Sequence, residues 1–247
     1  MEVVFLMSEA ENTKRLIHLP EGSRLARFCR REKRFLVEVQ DGREKFWVHC
    51  NNSGSMLGVL KPGATVLISP AQRQGRRLPY TLELVRYDSF WVGVNTLTPN
   101  RLLYLAWAAG ILPEVSGYES FKKEASCGES RLDAALHGTR GALWVETKNV
   151  TLVEDGVGYF PDAATVRGQR HLRELIHLNR EGNRAACFYL VQRADAQCFS
   201  PADFIDPDFA ALFWEALNEG VEMWPYQALV STEGIGLGSR LPLQKIG

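Results

Sequence analysis

This chain of 247 residues is short of several features that would place it quickly. It has no excess charge of either sign, since 29 Lys and Arg balance 29 Asp and Glu. A neutral chain offers no global attraction to nucleic acid or to an anionic membrane, so such binding has to come from local patches. It has five cysteines, Cys29, Cys50, Cys127, Cys187 and Cys198, and no CxxC pair. An odd, scattered set argues against a disulfide framework or a cysteine-rich zinc site, and for reduced thiols in a cytoplasm. No apolar run approaches the ~20 residues that a bilayer span requires. Val3-Val4-Phe5-Leu6-Met7 is short, acid-flanked and without the basic n-region of a signal peptide. The expectation is a cytoplasmic protein with no membrane contact. What remains is ordinary for a folded chain, 45% hydrophobic and 23% charged, with room for one large domain or two modest ones.

Taken in order, residues 1–22 show no consistent period and read as a poorly ordered extension. From Ser23 short strand-like runs follow one another, at Leu25–Phe28, Phe35–Val39, Lys45–His49, Thr65–Ile68 and Tyr80–Val85, with Asp41-Gly42 as a hairpin turn and Lys61-Pro62-Gly63-Ala64 as another. Several short strands in so few residues predict a small OB-like barrel over 23–94. It carries two basic clusters: Arg24, Arg27, Arg30, Arg31, Lys33 and Arg34, then Arg73, Arg76 and Arg77. These residues form either a nucleic-acid surface, with Phe28, Phe35, Phe46 and Trp47 near enough to contribute, or merely solvated strands around an aromatic core. His49-Cys50 does not make a nucleophile pair, because neighbours on a strand point to opposite faces.

Thr98-Pro99 is a helix start, and Leu102, Leu103, Leu105, Ala106 and Ala109 give an apolar stripe ending at Gly110, which puts a second domain at 95–247. Two strand-like segments follow, Ser130–Ala135 and Leu143–Val150, linked through Gly138 and Gly141. Alternation places Glu146 and Lys148 on one face of the second segment, and pairing would bring Asp133 of the first to them. Two carboxylates and an ammonium suit a hard divalent cation working on a phosphodiester. The plain alternative is a solvated ion pair. Beyond lie a helix over about 163–179 with Gln169 and His171, a strongly apolar strand at Ala185–Val191, a further helix around Phe209–Leu217 and a strand at Val221–Val230. Strands with helices on two faces make this a mixed α/β domain.

Longer segments carry a family resemblance. They are Lys33-Arg34-Phe35-Leu36, His49-Cys50 with Asn52, Gly54 and Met56, Val94-Asn95-Thr96-Leu97 with Asn100-Arg101, Ser116-Gly117-Tyr118, Glu146-Thr147-Lys148-Asn149-Val150-Thr151-Leu152, Phe160-Pro161-Asp162-Ala163 and Arg167-Gly168-Gln169-Arg170-His171-Leu172-Arg173-Glu174-Leu175. Together they resemble the bacterial sugar fermentation stimulation protein family (SfsA) from about Arg24 to Leu243, departing at the N-terminal extension and at Asn149. The resemblance implies an α+β chain: an OB-like barrel, then an α/β domain similar to PD-(D/E)xK nucleases. It further implies DNA binding and a connection with sugar utilisation. Carried over, Asp133 and Glu146 match the metal-binding carboxylates, joined by the Thr147 carbonyl. Lys148 matches the motif lysine, Glu124 the preceding acidic residue that positions water, and Gln169 and His171 auxiliary positions on the following helix. Mg²⁺ or Mn²⁺ is the expected cofactor and single- or double-stranded DNA the expected partner, with RNA as another candidate. No sequence feature names a protein partner. The rival reading is a non-catalytic DNA-binding regulator of sugar-metabolism genes on the same scaffold.

Overall fold

The computed structural model describes residues 15–56, 58–71, 75–127 and 130–245. Five strands close the barrel: β2 (Arg24–Glu32), β3 (Leu36–Asp41), β4 (Glu44–His49), β5 (Thr65–Pro70) and β6 (Tyr80–Tyr87), with β7 (Phe90–Gly93) appended to β6. Strands β4, β3, β2, β5 and β6 are hydrogen-bonded in that order, and a single β4–β6 bridge at His49 and Thr81 completes the ring. A closed ring leaves fewer edges to protect. Alternate residues Val37, Val39 and Val48 fill the interior with Val66, Ile68 and Leu82.

The second unit is a seven-stranded sheet in the order β1-β16-β15-β13-β10-β9-β8. Its centre, β10 (Gly141–Val150), β13 (Arg184–Val191) and β15 (Glu222–Val230), is parallel. Antiparallel β9 (Ser130–Gly138) and β8 (Tyr118–Cys127) flank it on one side, and β16 (Gly234–Arg240) and β1 (Arg15–His18) on the other. Strand β13 reads Ala-Ala-Cys-Phe-Tyr-Leu-Val after its first residue and is buried throughout, as expected of a parallel strand covered on both faces. Helix α1 (Thr98–Ala108) covers one face through Leu102, Leu103 and Ala106. Helices α2 (Val166–Arg180) and α3 (Pro207–Asn218) cover the other through Leu172, Leu175, Phe209 and Phe213. Both of the latter start on a side-chain cap: Thr165 accepts from Gly168 N (3.0 Å) and Asp206 from Phe209 N (2.9 Å). A three-stranded sheet of β11 (Leu152–Glu154), β12 (Val157–Phe160) and β14 (Cys198–Pro201) lies beyond β10. Among the described residues no helix is long and apolar enough to cross a membrane.

One correction concerns the N-terminus. Residues 1–14 lie outside the described part, but Arg15–His18, counted by the sequence pattern within the extension, form an edge strand on β16 with Ile17 buried at 2% exposure. Four residues are too few to show a period, and the partner lies more than two hundred residues away in sequence. The two units also touch closely. A Cβ on Gly93 would sit 1.7 Å from the Gln192 side chain, which is fully buried. Arg193 is 4% exposed and lies over the rings of Tyr87 (4.1 Å) and Phe90 (5.5 Å) from the barrel.

Candidate metal centre and nucleic-acid interface

Strand β10 presents two faces, and the candidate site uses both. Glu146 and Lys148 point toward α2. The Lys148 ammonium lies 2.6 Å from Glu146 Oε1, and His171 Nδ1 on α2 bonds the same oxygen. Arg167 Nε approaches His171 Nε2 at 3.4 Å, which leaves the ring proton on Nδ1 to be donated to Glu146. Glu146 is 3% exposed and His171 2%. Burial pushes the Glu146 carboxyl up, but the Lys148 charge and the His171 hydrogen bond outweigh it and hold it below the ordinary value.

Asp133 was expected on that same face, and here the structure differs. Leu132 packs in the core under α2, whereas Ala134 and Leu136 pack in the core under α1, so the alternation of β9 slips at Asp133. Its carboxylate accordingly reaches the α1 side of β10. Oδ2 accepts from Thr147 N (2.8 Å) and lies 2.9 Å from the Thr147 hydroxyl; Oδ1 accepts from Asn100 Nδ2 on α1 (2.7 Å). The Thr147 hydroxyl is also within reach of Asn100 Oδ1, and its single proton serves one acceptor at a time. Burial, and then the Glu146 charge, push the Asp133 carboxyl up; the Thr147 donors offset part of this. The two carboxylates are therefore driven in opposite directions, as in sites where paired acids take different roles. Sequence reasoning passed over Asn100 as a site residue. It lies 33 residues from Asp133, and only the α1 start at Thr98-Pro99 hinted that it would face the sheet.

The other expected residues divide. Glu124 lies opposite Asp133 in the β8–β9 ladder, between the pairs Lys123–Ala134 and Ala125–Leu132, with φ at +49°. Its side chain is exposed and 3.4 Å from Arg131. It lines a cleft of about 320 Å³ with Asp133, Asn100, Arg101, Lys123 and Leu97. Gln169 does not join the carboxylates; its Nε2 donates to Asp206 (3.0 Å), the α3 cap. A second cleft of about 260 Å³ reaches Thr147 and Lys148 from between Asn52–Gly54 of the barrel and Asp162–Thr165.

The residues present fit a hard cation. Among the described residues Glu146 Oε2 is buried without a hydrogen-bond partner, a costly state for a carboxylate oxygen that an oxygen-seeking ion would relieve. Among the described residues no three His, Cys, Asp or Glu side chains converge into a cage. The donors at hand are Glu146, Asp133 and main-chain oxygen, an open set of the kind Mg²⁺ tolerates because it keeps several waters.

On the barrel, several expected nucleic-acid contacts are already engaged within the protein. Arg31 donates to the carbonyls of Arg34 (2.7 Å), Gly54 (3.0 Å) and Asn52, and Arg34 to that of Ser53 (3.1 Å), so both brace the 52–55 loop. Arg30 is paired with Glu38 (3.0 Å) and Glu32 and lies over Trp47. Arg27 donates to Gly63 O and Thr65 Oγ1, both at 3.1 Å, and Arg24 pairs with Asp41 (2.9 Å). Arg73 lies outside the described residues. Lys33, Arg76 and Arg77 line a groove of about 920 Å³ with Trp47, His49 and Leu97. Phe28 is in the core and Phe46 packs on Tyr80, while Phe35 is 45% exposed. Cys50 is fully buried and burial pushes its thiol up, in keeping with an inert role.

Fold and site together define a mixed α+β protein in which a closed barrel is joined to an α/β domain that carries a carboxylate and a lysine on its central parallel strand. Two family models match, described as the SfsA N-terminal OB domain over residues 29–94 and the sugar fermentation stimulation protein RE domain over 97–234. The chain belongs to the sugar fermentation stimulation protein family. It is 61% identical to the homolog from Syntrophobacter fumaroxidans, over 92% of this chain and 87% of that one. It is 52% identical to the homolog from Maridesulfovibrio salexigens, over 92% and 97%. The solved structure of Pyrococcus furiosus SfsA in complex with Ca²⁺ superposes with a TM-score of 0.87 at 28% identity, covering 94% of this chain and 99% of that one.

Proposed function

We propose that this protein is a divalent-metal-dependent phosphodiesterase acting on nucleic acid, with DNA as its first candidate substrate. The observation that carries this reading is Glu146 Oε2, a buried carboxylate oxygen without a hydrogen-bond partner among the described residues, with the Lys148 ammonium on its other oxygen and Asp133 near enough to be raised by its charge. Asp133, Glu146 and the Thr147 carbonyl would hold Mg²⁺ or Mn²⁺. The Pyrococcus relative is a complex with Ca²⁺, a hard divalent cation, which supports an oxygen-ligand site here. When bound, such an ion acidifies water and polarises a phosphoryl oxygen.

The protein's own groups have separable tasks. His171 fixes the rotamer of Glu146 and, with Lys148, keeps it ionised. Asn100 fixes Asp133 from the other side of the strand. Lys148, only partly buried and open to the second cleft, is placed to stabilise charge that develops on the phosphate. Glu124, exposed at the rim of the first cleft, is placed to orient water there. The regulatory reading of the family needs only the barrel and the scaffold, so cleavage separates the two. End-labelled single-stranded DNA, duplex DNA and RNA are incubated with Mg²⁺, Mn²⁺ or EDTA. Cutting that needs the metal and disappears in Glu146→Gln is the expected result. Folded protein that binds these probes and cuts none of them would assign the chain to the non-catalytic reading.

A further inference from the structure

The groove on the barrel and the cleft at Asp133 are not separate features. Both are lined by Leu97, in the link between barrel and α1, and the second cleft is lined by the adjacent Thr96. Leu97 is 56% exposed and yet firmly held. Its N–H donates to Asn95 Oδ1 (3.0 Å), and Asn95 donates to the buried Glu83 carboxylate (2.8 Å), which also accepts from Ser69 (2.7 Å). An apolar side chain is thus held in the open at the point where the two clefts meet.

We infer that the barrel groove binds single-stranded nucleic acid and that the strand passes over Leu97 to the Asp133 cleft. Three features carry this. First, Lys33 and Arg77 have no ion-pair or hydrogen-bond partner among the described residues, and Arg76 makes only one bond, to Thr81 (3.0 Å), so the groove wall keeps cations for phosphates. Second, the same wall offers ring faces. Trp47 lines it, and His49 is stacked on the exposed Phe35 with rings 14° apart and centroids at 6.5 Å. Basic side chains interleaved with stacking surfaces are how single strands are bound without sequence preference. Third, the groove's volume of about 920 Å³ is that of a small-ligand cleft, enough for a few nucleotides. Burial and the Arg76 charge hold the His49 ring below its ordinary pKa, which leaves it a neutral stacking surface near pH 7.

Only the destination of the strand rests on the phosphodiesterase reading. The test is therefore made by fluorescence anisotropy in EDTA, with end-labelled oligo-dT, oligo-dU, oligo-U and a blunt DNA duplex, so that it succeeds or fails whether or not the protein cuts. The single strands should bind at least about tenfold more tightly than the duplex, and Trp47→Ala should lose about tenfold on them, the usual scale of one base stack. Arg77→Ala should lower the slope of log affinity against log salt by about 0.7, one phosphate contact on a single strand. Leu97→Asp should weaken oligo-dT severalfold, whereas Arg180→Ala, on the far helix and paired with Glu219, should leave it unchanged. Comparing oligo-dU with oligo-U shows which sugar the groove prefers. Equal affinity for the duplex, or unchanged affinity in folded Trp47→Ala and in Arg77→Ala, would overturn the proposal. Because Arg77 is exposed, Arg77→Ala keeps the test decisive if Trp47→Ala does not fold.

Discussion

Lys148→Ala should lose cleavage by about 10²–10³-fold, the usual cost of removing one donor aimed at developing charge, and should also lose about 3 kcal/mol of stability. The second effect follows from burial. The Lys148 and Glu146 side chains are 12% and 5% exposed, so the pair is largely withdrawn from water although Lys148 opens to the second cleft. Removing the ammonium leaves a carboxylate in that environment with His171 as its remaining partner, and breaking a buried pair costs about 3–5 kcal/mol. The lower end is expected because His171 stays. The sign of the pH dependence follows from the direction of the Glu146 shift. Its folded-state carboxyl lies below the ordinary value, so its contribution is present above the ordinary carboxylate range and is lost as pH falls through the folded value. In Lys148→Ala that lowering influence is gone, so the loss of stability should be largest near neutral pH and shrink as Glu146 is protonated toward pH 4. Urea melts from pH 4 to 8 read this directly. A variant as stable as wild type across that range would mean that the ion pair is solvated and unimportant.

Asp133→Asn should separate activity from stability in the opposite sense. Cleavage should fall at least about 10²-fold, since the proposed metal ligand and its charge are removed. Stability at neutral pH, measured without divalent ions, should hold or rise. Burial and Glu146 raise the folded-state carboxyl of Asp133 above its ordinary value. The folded state therefore binds more protons than the unfolded one between those two values, and stability contributed by this group falls as pH rises through that window. An amide removes the repulsion, and Asn100 can turn its own amide to keep a hydrogen bond. Thermal melts of the variant should be flatter with pH through that window. A large drop in melting temperature at neutral pH would show that Asp133 is there for structure.

Much of this was legible in the sequence because it is local. The barrel strands, the α1 start and the placement of Glu146 with Lys148 follow from period and turn chemistry over a few residues. What was not legible depends on long-range geometry or on a break in regularity. Asp133 changes sides because β9 slips at that residue, and no alternation rule predicts where it fails. Asn100 reaches Asp133 only because α1 packs on β10. Arg31 and Arg34 look like nucleic-acid contacts until the 52–55 loop is seen closing on their guanidiniums, while the Lys33 side chain beside them has no partner among the described residues. Gln169 shares a helix with His171 but faces the α3 cap, because two positions on a helix point about 200° apart.

The claim on which the rest depends is that Asp133 and Glu146 hold a divalent cation. Titration calorimetry of Mg²⁺ and Mn²⁺ into wild type and Glu146→Gln, without nucleic acid, tests it without reference to catalysis. Saturable binding to wild type, with a rise in stability of about 2.7 kcal/mol at a hundredfold excess over Kd, and loss of both in Glu146→Gln, is the result this structure predicts. Equal binding to the two proteins, or none to either, would contradict it.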